Sequence, residues 1–256
     1  MKGLACIHIH TNYPNTYRDD GSFPTQCKLS NKWTIGRRAA TMGIMINVLC
    51  FGNSNTNGSN PAGGRHPYDV RWPGQLQHLL GNEWHIIEEG LGGRTTVFSN
   101  PIEPHRNGIE ALPGALITHR PLDYVILSLG TNDMKAMFHA DARVIAAGLD
   151  MLVREVKTTD NRGAATPRIV VVSPIHIKPG ISTSPFVGFK EDAVELSHQL
   201  SGEYRTVAAN EGCLFLDASQ IAEASNLDKL HMDDDNHTKL AHAMAKLLTD
   251  DWAARH

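Results

Sequence analysis

The chain has 256 residues, of which 41% are hydrophobic and 20% are charged, a size and composition typical of one α/β domain with a well-buried core. Its formal net charge of −3 gives no broad basic surface for phosphate backbones, so nucleic acid is not expected as a partner. No apolar run reaches the ~18 residues that a membrane-spanning helix needs, which argues against a membrane as a partner.

The four cysteines indicate a reducing compartment. Cys6, Cys27, Cys50 and Cys213 form no C-x-x-C pair, and two of them lie in apolar, strand-like runs where a thiol behaves as a small hydrophobic side chain. The N-terminus lacks the continuous apolar segment and the cleavage site of a signal peptide. We therefore expect a cytoplasmic protein.

Residues 1–41 differ from the rest of the chain. They are rich in Asn, Thr, Arg, Gly and Pro and show neither helical nor strand periodicity. We interpret them as an N-terminal extension of a domain that covers residues 42–256. A disordered arm, an upstream translation start and an ordered flap on a partner subunit all fit this composition.

From Ile46 onward, short apolar runs alternate with amphipathic stretches. The predicted strands, several of them rich in β-branched residues, are Ile46–Phe51, His85–Glu89, Tyr124–Leu129, Ile169–Val172 and Leu214–Leu216. The predicted helices are Trp72–Leu80, Ala111–His119, Asp141–Lys157, Lys190–Ala209 and His237–Trp252. Strands separated by helices imply right-handed crossovers. We predict an α/β fold: a three-layer α/β/α sandwich around a five-stranded parallel sheet in the flavodoxin-like order 2-1-3-4-5.

Reactive groups in such a sheet collect beyond the carboxyl ends of the strands, where Ser54 follows the first predicted strand. A serine hydroxyl is a poor nucleophile alone and needs a base within hydrogen-bond reach and a third group that orients the base. Asp228 and His231 can supply both, because the carboxylate can bind one imidazole nitrogen while the other faces Ser54. Taken singly, both could equally be surface residues, since the chain has 14 histidines.

A serine nucleophile also requires hydrogen-bond donors for the oxyanion of the tetrahedral intermediate, each contributing about 3 kcal/mol. The candidates are the backbone N–H groups of Ser54 and Gly93 and the side-chain amide of Asn132, all at the ends of predicted strands. Taken alone, Gly93 could form a turn and Asn132 could cap a helix.

These four blocks, in this order, resemble the SGNH (GDSL) hydrolase family, whose name records the residues found here as Ser54, Gly93, Asn132 and His231. The resemblance runs from about Ile46 to the last helix. Segments 69–74, 88–96 and 130–136 are similar to the arylesterase and acyltransferase branch of the family. That branch implies hydrolysis of short-chain acyl or aryl esters through an acyl-enzyme, acyl transfer to alcohols or peroxide, no cofactor, and homo-oligomers.

One position departs from the family pattern. The family has Gly-Asp-Ser where this chain has Gly52, Asn53 and Ser54. Asparagine keeps the size and one acceptor oxygen of aspartate but loses the negative charge and gains an NH₂ donor. We expect Asn53 to change the efficiency or the pH dependence of the reaction without removing a member of the triad.

Four residues close to these motifs are candidates for substrate binding, namely Asn53, Trp72, Met137 and Phe138. Core packing explains the last three equally well. The long loop over residues 174–189 could cover the pocket or contact another subunit. We interpret the acidic run Asp233–Asp235 as a cap of the last helix, and we expect no metal site.

The sequence therefore predicts a serine esterase with a small ester as substrate. Ser54 attacks the ester, His231 accepts the proton and Asp228 holds the imidazole. Two other interpretations stay open. A flavodoxin-like module could bind phosphate or flavin through residues 53–59, although it leaves Asp228 and His231 unexplained. An SGNH scaffold that is catalytically impaired by Asn53 is the second.

Overall fold

Five parallel strands form the sheet that positions the site. The structure is a computed structural model, and it describes residues 45–256. The strands occur in the order β2-β1-β3-β4-β5. They are β1 (Ile46–Gly52), β2 (Trp84–Gly90), β3 (Tyr124–Ser128), β4 (Arg168–Ser173) and β5 (Leu214–Asp217). The predicted fold class is confirmed, whereas the proposed extension over residues 1–41 lies outside the described residues.

Helices cover both faces of the sheet. They are α1 (Ser54–Asn57), α2 (Trp72–Leu80), α3 (Gly108–His119), α4 (Ala142–Thr158), α5 (Asp192–Asn210) and α6 (Asp234–Arg255). The short helix α1 was not predicted. Helices α3 and α6 begin earlier than predicted because side-chain caps extend them: Asn107 accepts a hydrogen bond from the backbone of Ile109, and Asp233 accepts one from the backbone of Asn236.

Two apolar cores lie on opposite faces of the sheet. Because successive strand side chains point to opposite faces, Leu49 and Phe51 pack with α3, α4 and α5, while Val48 and Cys50 pack with α2 and α6. Burial on both faces explains why the strands are continuous apolar runs. In the described part of the chain, no helix has the length and the apolar character needed to cross a membrane.

The carboxyl end of β2 lies directly against α1, which carries Ser54. A Cβ added to Gly90, the last residue of β2, would lie 2.2 Å from the backbone nitrogen of Asn57. Because that neighbour is backbone, a side chain at position 90 would have to displace α1 or β2. The glycine therefore permits the close approach that fixes the position of α1.

We predict that Gly90→Ala destabilises the fold by about 1–3 kcal/mol, because overpacking against backbone forces the two elements apart. Displacing α1 should also lower esterase turnover. Denaturant unfolding and an ester hydrolysis assay would measure the two effects. Gly92→Ala is the matched control for stability, since a Cβ at Gly92 meets nothing within 4 Å. Equal stability of the two variants would contradict the packing argument.

Candidate active site

Ser54 is the first residue of α1, and one residue, Asn53, separates it from the end of β1. The side-chain oxygen of Asn53 accepts a hydrogen bond from the backbone N–H of Asn55 at 3.1 Å, which caps the helix. The helix ends at Gly58, whose φ of +83° is a left-handed conformation that glycine adopts without strain. This tight strand-to-helix turn places the hydroxyl of Ser54 beyond the carboxyl edge of the sheet.

Asp228 and His231 form a buried pair on the loop before α6. The Nδ1 atom of His231 lies 2.6 Å from Oδ2 of Asp228, and Oδ1 of Asp228 accepts the backbone N–H groups of His231 at 2.9 Å and Leu230 at 3.0 Å. Burial acts to raise the pKa of Asp228, but these hydrogen bonds outweigh burial and hold the pKa below its usual value. The carboxylate is therefore ionised at neutral pH and orients the imidazole.

Three donors lie where the sequence predicted an oxyanion hole. Gly93 adopts a φ of +77°, and neither its N–H nor that of Ser54 has a hydrogen-bond acceptor within residues 45–256. Asn132 is buried, and its amide nitrogen donates to the carbonyl of Arg94 at 3.1 Å. The second amide hydrogen of Asn132 remains available for another acceptor.

One cavity of about 420 Å³ brings these groups together. Ser54, Gly93, Asn132 and His231 all line it, and Asp228 lies behind His231. Across the described residues, no hydrogen bond joins the hydroxyl of Ser54 to His231. The proximity of the two around a shared cavity is nevertheless the arrangement that a serine nucleophile and its base require, because such bonds often tighten only when substrate is bound.

The loop over residues 174–189 covers part of this cavity. Pro185, Phe186, Val187, Gly188 and Phe189 line it, and the rings of Phe186 and His231 meet edge to face with their centroids 5.0 Å apart. Of the two roles considered for this loop, the structure places it over the pocket. Its aromatic side chains give the cavity an apolar wall next to the histidine.

Of the four candidate substrate-binding residues, only Met137 lines the cavity. Trp72 does not line it: its ring is buried in the core where α2 packs on α6, in agreement with the core-packing alternative. Phe138 stacks on Phe98 instead, with their centroids 5.0 Å apart. Asn53 lines a separate small cavity behind Ser54, where its role is to cap α1.

The acidic run at the start of α6 has structural contacts. Asp233 caps the helix, and the carboxylate of Asp234 lies 3.1 Å from Nδ1 of the buried His66. Among the residues that the structure describes, no three His, Cys, Asp or Glu side chains are grouped closely enough to hold a metal ion.

Asn55 is a site residue that sequence reasoning missed. Its amide nitrogen donates to the carbonyl of Leu230 at 3.4 Å, and its oxygen accepts the N–H of Met232 at 3.0 Å. These two bonds hold the backbone on both sides of His231. The residue next to the nucleophile therefore fixes the loop that carries the histidine.

Asp133, also missed, supports the oxyanion side of the site. Its Oδ1 accepts the backbone N–H of Thr96 at 2.8 Å and the hydroxyl of Thr96 at 2.5 Å. Burial raises the pKa of Asp133 to about 6, although the hydrogen bonds from Thr96 act in the opposite direction. These bonds tie the turn that carries Asn132 to the segment after Gly93. Asp133 and Thr96 both lie in segments that resemble the arylesterase branch, and this resemblance was the available signal.

Comparison with known proteins identifies the family. The model of the GDSL-like lipase/acylhydrolase family matches residues 50–244. An aryl esterase of M. smegmatis is 35% identical, with 80% of this chain and 99% of that chain covered and a TM-score of 0.75. A carbohydrate acetylesterase from Sinorhizobium meliloti is 36% identical, with 82% and 100% covered and a TM-score of 0.75. A search of curated proteins gave no significant match.

The chain belongs to the GDSL-like lipase/acylhydrolase family, that is, to the SGNH hydrolases that the sequence resembled. This membership makes it a carboxylic ester hydrolase. A lipolytic protein of the G-D-S-L family from Veillonella parvula, at 15% identity and a TM-score of 0.58, shares the fold.

We predict that Asn55→Ala lowers kcat at least tenfold, because the two backbone groups beside His231 lose their partner and the imidazole loses its fixed position. Steady-state kinetics on a short ester would measure this. Asn57→Ala is the matched control: Asn57 lies on the same helix, but its amide donates to the carbonyl of Gly90 at 3.2 Å and does not reach the histidine loop. A similar fall in kcat for both variants would show that Asn55 acts only through the stability of α1.

We predict that Asn53→Asp preserves or raises turnover, because aspartate keeps the oxygen that caps α1. Asn53→Ala, which removes the cap, should cost about 1 kcal/mol of stability. Kinetics and thermal unfolding of both variants would test this. Loss of turnover in a folded Asn53→Asp protein would mean that Asn53 has a role that aspartate cannot fill.

Proposed function

We propose that the protein hydrolyses short-chain acyl or aryl esters through an acyl-enzyme. His231 takes the proton of Ser54 as the hydroxyl attacks the ester carbonyl, and Asp228 stabilises the imidazolium that forms. The N–H groups of Ser54 and Gly93 and the amide of Asn132 bind the oxyanion. After the alcohol has left with the proton from His231, water attacks the acyl-enzyme with His231 again as the base.

The observation that carries this proposal is the 2.6 Å contact between His231 and Asp228 beside a cavity that Ser54 also lines. It supplies an oriented base next to a serine that lines the same cavity. A phosphate-binding or flavin-binding module would need neither an oriented histidine nor a buried carboxylate behind it. The pair therefore favours nucleophilic catalysis over that alternative.

The cavity favours small substrates. Its volume is about 420 Å³, and the side chains of Met137, Phe186 and Phe189 narrow it close to the catalytic groups. Two structural relatives are described as an aryl esterase and a carbohydrate acetylesterase, and acetyl is a small acyl group. We propose that small alcohols or peroxide can replace water as the acyl acceptor.

We also propose a cytoplasmic homo-oligomer. The resemblance to the arylesterase branch supports the assembly, and the cysteine pattern supports the compartment. Light scattering on the purified chain would give the number of subunits.

We predict that Ser54→Ala and His231→Ala each remove nearly all turnover of 4-nitrophenyl esters, from acetate to octanoate, while the fold stays intact. The double variant should be little worse than either single one, because nucleophile and base act as one unit. Asn132→Ala should cost about 10²-fold or more by removing an oxyanion donor. Asp228→Ala should cost less than the loss of Ser54 or His231, because the carboxylate does not bond to substrate.

Labelling with a fluorophosphonate probe separates the alternatives. The wild-type protein should be labelled at Ser54, and Ser54→Ala should not react. A folded wild-type protein that neither reacts nor hydrolyses esters would support a scaffold impaired at Asn53. Labelling at another serine, or full activity in His231→Ala, would overturn the assigned triad.

A further inference from the structure

Charged side chains also line the cavity. Glu103, Arg106 and Lys135 all line it. Nζ of Lys135 lies 2.5 Å from Oε2 of Glu103, so these two charges neutralise each other, and the amide of Asn100 donates to the same carboxylate oxygen at 3.1 Å. The carboxylate of Glu103 therefore already has its partners.

Arg106 is different. Within residues 45–256 its guanidinium forms no ion pair and no hydrogen bond, and its Nε atom is buried without a partner. A buried guanidinium nitrogen that lacks an acceptor costs free energy, because guanidinium N–H groups can only donate. The terminal nitrogens of the guanidinium also have no partner within residues 45–256, and they are available to an acceptor in the cavity that Arg106 lines.

The position of Arg106 is fixed next to the oxyanion hole. Its carbonyl accepts the backbone N–H of Thr95 at 2.9 Å, two residues after Gly93. A Cβ added to Gly93 would lie 3.3 Å from Nε of Arg106, so the guanidinium stem packs on the glycine whose N–H faces the cavity. Any ester held by Gly93 therefore lies beside this cation.

We propose that Arg106 binds a carboxylate of the substrate, so that the esters best suited to this site carry a carboxylate as well as the scissile ester. This inference rests on the proposed function, because it concerns the same cavity. A planar guanidinium pairs with a carboxylate through two parallel hydrogen bonds, which gives both energy and orientation. The carboxylate lies on the acyl part or on the alcohol part of the ester.

The surrounding charges agree with an anionic ligand. Arg94 is close enough to Arg106 that the two cations act on each other. The pKa of Arg94 is lowered to about 10, mainly by burial; Glu89 opposes the shift and the charge of Arg106 adds to it. In this neighbourhood the three cations Arg94, Arg106 and Lys135 outnumber the two carboxylates Glu89 and Glu103. The net positive charge favours an anion over a neutral or cationic substrate.

The experiment compares esters that differ in charge but hardly in shape. For the alcohol part, 4-acetoxybenzoate is compared with its neutral amide, 4-acetoxybenzamide. For the acyl part, monomethyl glutarate is compared with its neutral amide, methyl glutaramate. The measured quantity is the ratio of kcat/KM for the anionic ester to that for its neutral partner. We expect a ratio above one in the wild-type protein for one pair, which identifies the part that carries the carboxylate.

Variants assign the preference to Arg106. Arg106→Gln should lower that ratio at least tenfold, mainly through KM, and Arg106→Lys should retain part of it because a point charge remains. Arg143→Gln is the matched control, since Arg143 is an exposed arginine at the start of α4. Inhibition of the wild-type protein needs no variant: benzoate should compete with a neutral ester more strongly than benzamide does, and added salt should weaken that difference.

The outcomes are distinguishable. Ratios at or below one for both pairs, or an unchanged ratio in Arg106→Gln, would overturn this inference while the hydrolysis of neutral esters left the proposed function standing. Absence of all hydrolysis, together with no probe labelling at Ser54, would overturn the proposed function. If Arg106→Gln does not fold, equal inhibition by benzoate and benzamide would by itself contradict the role of Arg106.

Discussion

The site depends on hydrogen bonds that hold the carboxyl ends of three adjacent strands together through Arg94. The guanidinium of this buried residue donates to the carbonyls of Gly52, at the end of β1, and Glu89, in β2, and its carbon lies 4.1 Å from the centroid of the Phe51 ring. Its own carbonyl accepts the amide of Asn132, which follows β3. One side chain therefore joins the nucleophile turn, the Gly93 turn and the Asn132 turn. With a pKa of about 10, Arg94 keeps its charge at neutral pH.

His231 belongs to no strand, so the sheet cannot position it directly. Two sets of hydrogen bonds do so instead. Asp228 accepts backbone N–H groups within the loop, and Asn55 binds the backbone on either side of the histidine from α1. Each such bond contributes only about 1 kcal/mol net, but the buried backbone groups would cost more if they were left unpaired. His231 is therefore held in position by the same short helix that carries Ser54.

The sequence predicted the elements that rest on repeated patterns and missed those that rest on single contacts. The apolar runs of β1 to β5 predicted the sheet and its order, and the candidate catalytic residues were selected because their side chains have distinctive chemistry. Helix α1 is only four residues long, too short to show a period. Asn55 was missed because its partners are backbone atoms 175 and 177 positions away, which no residue type reveals.

The position of Trp72 could not be decided from the sequence for a related reason. Its motif lies close to Ser54 in sequence, but proximity along the chain does not determine which face of the sheet a helix covers. Helix α2 packs with α6 on one face, so the indole fills the core instead of the cavity. Arg106 could not be selected from the sequence either. What distinguishes it from the other arginines is that the fold leaves its guanidinium without a partner in the lining of the cavity.

The candidate catalytic groups and the walls of the cavity come from different parts of the fold. The catalytic groups depend on strand ends and α1, whereas the cavity walls come from the segment around Glu103 and Arg106 and from the loop over residues 174–189. Lys135 joins these walls: its ammonium binds Glu103, its stem lies 3.5 Å from a Cβ built on Gly188, and it follows the turn that holds Asn132. A substrate that displaces either wall would therefore also shift Asn132, the proposed oxyanion donor. Binding distant from the reacting bond can in this way contribute to the rate of the chemical step.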